Sequence, residues 1–208
     1  MNDIKLRAEN LGKAFIRKRI FSGINLDLTT GSSVSIAGPN GAGKTTILKV
    51  LARLLAQSEG NIRYSVGEEE INENHLYRHI GFVAPYLQLY DEFNGWENLD
   101  LMRKIRGVEL PDERIAELLD RVHLSTKNFD PVRAYSSGMK QRLKYACALL
   151  HSPSVLFLDE PTANFDAEGR EIARSIAEDQ KRFGILVLGT NEPQEVAWCE
   201  QTVNLDTK

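Results

Sequence analysis

The stretch GPNGAGKT, Gly38 to Thr45, packs three glycines, a lysine and a threonine into eight residues. The spacing G-x-x-x-x-G-K-[ST] lets a backbone curl around phosphate oxygens with its N–H groups turned inward. Gly38, Gly41 and Gly43 supply the freedom for the curl, and Pro39, Asn40 and Ala42 fill the rest of it. Lys44 at its end can reach β- and γ-phosphates, and the Thr45 hydroxyl can hold Mg²⁺. Thr46 follows on the same turn and completes the candidate phosphate set. A second pair of groups lies far along the chain. In SVLFLDEP an apolar run stops at Asp159 and Glu160. Asp159 suits a direct or water-mediated hold on Mg²⁺, and Glu160 can orient or deprotonate an attacking water. Taken alone, the pair also fits a solvated strand end with two surface acids.

The stretch YSSGMKQRLKYACALL, Tyr135 to Leu150, offers a third chemistry. A Ser-Ser-Gly turn opening a helix presents hydroxyls and bare N–H groups, which suit an anion. No histidine lies beside Ser136 or Ser137 to make either a nucleophile. The bland alternative is an N-capped helix with a solvated basic face.

These groups need elements to hold them. IKLRAENL alternates like a half-exposed strand, and INLDLTTGSSVSIAG predicts a strand, a turn and a buried strand ending at Ala37. GKTTILKVLARLLA has apolar residues at helical spacing, while SVLFLDEP and ILVLGTN predict short buried strands. AEGREIARSIAEDQKRFG predicts an amphipathic helix stopped by Gly184, and TVNL an edge strand. From Tyr77 to Leu150 the pattern is mostly helical, and we read this middle as an insertion. Strands alternating with helices imply an α/β fold, a parallel sheet covered on both faces. Ligands of such sheets bind beyond the carboxyl ends of the strands, where the phosphate loop and the Asp159–Glu160 pair would meet.

The bulk composition is compatible with this. Of 208 residues, 42% are hydrophobic and 26% charged, as in a soluble globular chain. A net charge of -3 argues against a dedicated nucleic-acid binder. Cys147 and Cys199 are expected to be two reduced thiols. The start MNDIKLRAEN has charge where a signal peptide has an apolar core, and no apolar run approaches a membrane span of ~20 residues. A cytoplasmic location is expected, with any membrane role exercised through a partner.

In this order the pieces resemble the ATP-binding cassette (ABC) ATPase family along essentially the whole chain, read as one domain over 1–208. Gly38–Thr45 looks like its Walker A motif, Val155–Glu160 like its Walker B with the catalytic glutamate, and YSSGMKQR like its signature, usually LSGGQ. Ser136 and Gly138 match the signature, whereas Tyr135, Ser137 and Met139 depart from it. Thr162–Asp166, TANFD, looks like the D-loop, and Phe15 falls where the family stacks an aromatic on adenine. For Phe15, an ordinary core aromatic is the competing reading. The resemblance implies a P-loop NTPase with a mainly parallel sheet, an N-terminal antiparallel β subdomain and a helical subdomain inserted at about 86–150. It implies ATP and Mg²⁺ as ligands, and ATP hydrolysis coupled to transport. It also implies a second cassette whose γ-phosphate meets Ser136 and Gly138, so the anion at the signature comes from a partner. A membrane-spanning subunit would dock on the helical insertion, where Tyr86, Leu87 and Tyr90 are candidates with simple packing in a scaffold as the competing reading, and the chain would sit peripherally on the inner face of the cell membrane. RIFSGINLDL looks similar to the short single-cassette type seen in haem exporters.

Two departures bear on rate. After IGFVA the family usually has a glutamine touching Mg²⁺ and the attacking water; here stands Pro85, with Gln88 nearby. After ILVLGT it usually has a histidine contacting the γ-phosphate; here stands Asn191, the second candidate catalytic residue, which could instead only cap its turn. Two rival functions stay open: a nucleotide-gated regulatory module with little hydrolysis, and a soluble ABC protein acting on ribosomes or DNA.

Overall fold

The computed structural model describes residues 3–16, 18–124, 129–163 and 165–205. In chain order the elements are β1 (Ile4–Phe15), β2 (Lys18–Thr29), β3 (Ser33–Ala37), α1 (Lys44–Leu51), β4 (Glu59–Val66), β5 (Glu69–Glu70), β6 (Ile80–Val83), α2 (Gly95–Arg106), α3 (Asp112–Arg121), α4 (Ser137–Leu149), β7 (Val155–Asp159), α5 (Ala167–Phe183), β8 (Ile185–Thr190), α6 (Pro193–Val196) and β9 (Gln201–Asn204). They build two sheets. One is antiparallel, in the order β2-β1-β4-β5. The other is parallel, in the order β6-β7-β8-β3-β9.

The central parallel strands β3, β7 and β8 are buried along their whole length, as expected of strands covered on both faces. Successive side chains point to opposite faces, so each strand serves two cores. Val155 and Phe157 of β7 and Ile185 and Val187 of β8 join a core made with α1 and the antiparallel sheet. Leu156, Leu158, Leu186 and Leu188 join a second core with α4, α5 and the helices after β6. Each fully buried leucine or phenylalanine contributes about 1.5–3 kcal/mol. This shared wall fixes the carboxyl ends of β3, β7 and β8 side by side.

The antiparallel sheet shows the alternation of a half-exposed face. Ile4, Leu6 and Ala8 are buried while Lys5, Arg7 and Glu9 are exposed. The alternation breaks at Asn10, where φ is 49° and the pairing with β2 shifts register. β4 and β5 belong to this sheet and have no counterpart in the strands expected from the sequence. α1 is shorter than its apolar spacing predicts. It ends at Leu51, and Arg53 turns into the left-handed region at φ 57°. The Arg53 guanidinium donates to Ile62 O at 2.7 Å and Gln57 Oε1 at 3.0 Å, and pairs with Glu73 at 2.8 Å. Tertiary bonds there outweigh local helix preference.

Between β6 and β7 the described chain is helical, with α2, α3 and α4 packed through Leu99, Ile115, Leu118, Leu119 and Leu143. A capping box between Asn94 and Glu97 starts α2. Asp166 starts α5, its carboxylate accepting from Gly169 N–H at 2.8 Å. Among the described residues no helix is long and apolar enough to cross a membrane.

Candidate functional site

The loop from Gly38 to Gly43 joins the end of β3 to the start of α1. Gly43 is left-handed at φ 110°, and a Cβ there would lie 2.5 Å from Ile20 Cγ2. Only glycine fits. Gly41, at φ 82°, has open space where a Cβ would be, so the cradle stays accessible. No side chain caps α1 and no acid stands in its first turn. The amide donors and the positive end of its dipole are therefore left to an anion.

Lys44 is 5% exposed and folds back into the loop. Its ammonium donates to Gly38 O at 2.9 Å and Pro39 O at 3.3 Å, reaches Asn40 Oδ1 at 3.5 Å, and pairs with Glu160 Oε1 at 3.3 Å. Thr45 Oγ1 donates to Asp159 Oδ2 at 2.7 Å. Residues 114 positions apart thus meet at the carboxyl edge of the sheet. Asp159 is 1% exposed, and its Oδ1 has no hydrogen-bond partner. Burial pushes its carboxyl above the ordinary range, against the pull of the Thr45 bond. A buried carboxylate oxygen without a donor, beside a threonine hydroxyl, is a hard oxygen pair of the kind Mg²⁺ takes. The residues present fit that ion.

Glu160 is left-handed at φ 50°, rare for a residue with a side chain. Its N–H donates to Gly189 O at 2.8 Å, which holds the turn against the neighbouring strand. Thr162 and Phe165 continue the turn through Phe165 N–H to Thr162 O at 3.0 Å, while Asn164 of the Thr162–Asp166 stretch lies outside the described residues. Asn191 follows the last residue of β8 and is exposed. Thr190, rather than Asn191, closes this turn: its hydroxyl accepts from Glu192 N–H at 2.9 Å.

Ser136 and Gly138 stand elsewhere, at the start of α4. Ser136 is the N-cap and its hydroxyl oxygen accepts from Met139 N–H at 3.2 Å. The hydroxyl proton is not used by that bond. Among the described residues no hydrogen bond or ion pair joins Ser136 to the Lys44–Asp159 cluster. The basic residues after it serve the scaffold. Lys140 pairs with Asp91 at 2.9 Å, Arg142 donates to Val122 O and His123 O at 3.2 and 3.1 Å, and Lys144 donates to Pro85 O. Phe15 ends β1, 46% exposed, with Lys13 Nζ 4.8 Å from its ring centre. It is not a core residue. Its hairpin reaches the phosphate loop through Ile20, the residue beside Gly43.

The resemblance brings the segment after IGFVA to the cluster through Pro85 and Gln88, but the neighbour found there is Tyr86. Tyr86 lies with Lys49 Nζ 4.2 Å over its ring. Burial raises its phenol, and the Asp159 carboxylate facing the hydroxyl raises it further. Gln88 is instead turned to Tyr86 O at 3.4 Å. The phenol of Tyr86, not the amide of Gln88, is thus the group of this segment that feels the Asp159 charge, without a hydrogen bond that would satisfy its free oxygen. Tyr90 and Phe93 stack at 5.7 Å, half-exposed, on a loop that the buried Asn98 amide holds to α2. Cys147 and Cys199 are both free thiols, each raised to about 12 by burial.

A family model described as ABC transporter matches residues 21–163. Among curated proteins, the chain is 32% identical over 209 residues to the lipoprotein-releasing system ATP-binding protein LolD of Bacteroides fragilis, covering 96% of this chain and 97% of that one. It is 34% identical to the lantibiotic transport ATP-binding protein SrtF of Streptococcus pyogenes, covering 88% and 78%. It is 35% identical to an uncharacterized ABC transporter ATP-binding protein, YdbJ of Bacillus subtilis, covering 88% and 59%. The chain spans 59% and 62% of the length of the two Bacillus subtilis proteins YdbJ and LnrL. A dimeric ATP-binding cassette solved in a post-hydrolysis state with ADP and Pi has the same fold, with a TM-score of 0.83 at 22% identity over 97% of this chain and 94% of that one.

Proposed function

The chain belongs to the ABC transporter family, and from that premise we propose that it is an ATP-binding and ATP-hydrolysing subunit that pairs with a second cassette around Mg-ATP to drive a separate membrane subunit. The observation that carries this reading is the meeting of Lys44, Thr45, Asp159 and Glu160 at one sheet edge, with a buried Asp159 oxygen left unpartnered. In this reading the loop amides and Lys44 bind the β- and γ-phosphates, and Thr45 and Asp159 hold Mg²⁺. Mg²⁺ when bound would neutralise phosphate charge and align the β- and γ-oxygens. Glu160 accepts a proton from the attacking water, Asn191 donates an amide hydrogen bond toward the γ-phosphate, and Phe15 stacks on adenine. Ser136 and Gly138 face the nucleotide of the partner cassette. Residues about 86–150 form the inserted helical subdomain. The half-exposed Tyr90 and Phe93 on the Asn98-held loop are the place for a membrane subunit to dock, which would put the chain on the inner face of the membrane.

The reading is tested by ATP turnover of the purified chain over a range of protein concentrations. A sandwich of two cassettes makes turnover per chain rise with concentration and vanish when Mg²⁺ is chelated. Turnover per chain that is flat in concentration, or absent, overturns it. Ser136→Arg should leave ATP binding to the isolated chain nearly intact and abolish that concentration dependence, because the new side chain fills the space where the partner's γ-phosphate would sit. An equal loss of monomer affinity would mean that Ser136 serves its own nucleotide.

Asparagine is shorter than histidine and cannot become cationic. Its shortfall falls on the transition state more than on bound ATP. Slow basal hydrolysis with ordinary ATP affinity is therefore expected. Asn191→His should raise kcat by roughly tenfold or more, with KM little changed, in steady-state kinetics without a membrane partner. A rate unaltered or lowered would show that Asn191 does not stand at the γ-phosphate.

A further inference from the structure

We propose that Glu195 is a positioning residue that clamps the turn carrying Glu160 to the turn carrying Asn191. Glu195 lies on the short helix α6 and is 4% exposed. Its carboxylate accepts from two threonine hydroxyls, Thr162 on Oε1 and Thr190 on Oε2. A buried carboxylate is retained at a heavy desolvation cost unless its oxygens are well bonded, and here each oxygen has its own donor. The donors belong to different segments. Thr162 stands two residues after Glu160 and Thr190 one residue before Asn191.

Each side of the clamp is itself tied to its working residue. The Thr190 hydroxyl, while donating to Glu195, accepts from Glu192 N–H at 2.9 Å and so closes the turn around Asn191. α6 is anchored to the same turn by Glu195 N–H donating to Glu192 O at 3.0 Å. On the other side, Pro161 lies between Glu160 and Thr162, and its carbonyl accepts from the fully buried Tyr145 hydroxyl at 2.8 Å. Glu160 is held in a left-handed conformation that its side chain disfavours. Tyr145 grips this strained turn from α4, and Glu195 grips it from α6. Without Glu195, the two turns lose their side-chain bridge, and among the described residues the strained one is tied to the end of β8 only by the Glu160 N–H to Gly189 O bond.

The inference rests on the ATPase reading, in which Glu160 and Asn191 act on one γ-phosphate. Neither Glu195 nor Thr162 is bonded to the phosphate loop, so the clamp acts on turnover and not on nucleotide binding. The test is a double-mutant cycle on the full chain with Thr162→Val and Glu195→Ala, with Glu195→Gln alongside. Glutamine can accept from Thr190 and donate to Thr162, whose hydroxyl can reverse, so it keeps both links. Thr162→Val removes one hydroxyl without changing shape and serves even where Glu195→Ala fails to fold. We expect Thr162→Val to lower kcat about tenfold, Glu195→Ala to lower it at least as much, and the double variant to be no slower than Glu195→Ala. Glu195→Gln should keep kcat within about threefold of the parent, and KM for ATP and calorimetric affinity should hold within about twofold throughout. A merely structural role would lower the melting temperature without dividing kcat from KM. Parental kcat in Thr162→Val, or losses that multiply in the double variant, overturns the clamp while leaving the ATPase reading intact. A parent chain without turnover overturns both.

Discussion

Glu160→Gln will keep its affinity for ATP and lose nearly all turnover. Glutamine has almost the size and shape of glutamate, so the left-handed turn at φ 50° and its bond to Gly189 are undisturbed. What disappears is the ability to accept the proton of an attacking water. A general base contributes on the order of 10²–10⁴ in rate, and a loss of that size is expected in kcat. Binding should not suffer, because Glu160 neutralises Lys44 across 3.3 Å, and a neutral amide leaves more of that positive charge to the phosphates. With hydrolysis stalled, the nucleotide-bound pair of cassettes should accumulate and elute early in size-exclusion chromatography with Mg-ATP. Turnover at the parental rate would remove Glu160 from the role of base.

Lys44→Ala will abolish tight ATP binding. Its ammonium is buried beside the loop that it serves, so water does not screen it as it would a surface lysine. Losing a charge-assisted bond to a phosphate in such a place costs on the order of 2–3 kcal/mol, about 30- to 150-fold in affinity. The same ammonium satisfies the carbonyls of Gly38 and Pro39, so the variant is checked by circular dichroism and thermal melting before titration. Unchanged ATP affinity in a calorimeter, for a folded variant, would sink the assignment of the loop.

Much of this site is legible in the sequence because its parts are local. The phosphate loop is one contiguous stretch between a buried strand and a helix, and β7 is an unbroken apolar run that stops at its acids. The parallel order follows from strands alternating with helices. β4 escaped because Glu59–Val66 is a polar-flanked, half-exposed strand in which only Ile62 and Tyr64 are buried. The early end of α1 escaped because Arg53 is turned by partners at 57, 62 and 73. Tyr86, expected on a docking surface, faces Asp159 and Lys49, and nothing near Glu195 in the chain marks it out. Both depend on which segments meet in space, and no local pattern encodes that. Thr45 and Asp159 could be brought together in advance only because the sheet edge they share could be inferred first.

β6 and β7 pair in register, Ile80 with Val155 through Val83 with Leu158, although the crossover between them runs from 84 to 154. Loop-closure entropy grows only with the logarithm of length, so this crossover costs about 1.5 kcal/mol more than a minimal one of ~12 residues. The helices of the crossover offset that by packing Leu99, Ile115, Leu118 and Leu143, all fully buried, into the core they share with β7, β8 and α5. A change in the length of this crossover therefore costs little closure entropy while β6 and β7, the strand that carries Asp159, keep their register. A partner docked as proposed on this crossover would be fitted there, away from the strand end that carries Asp159.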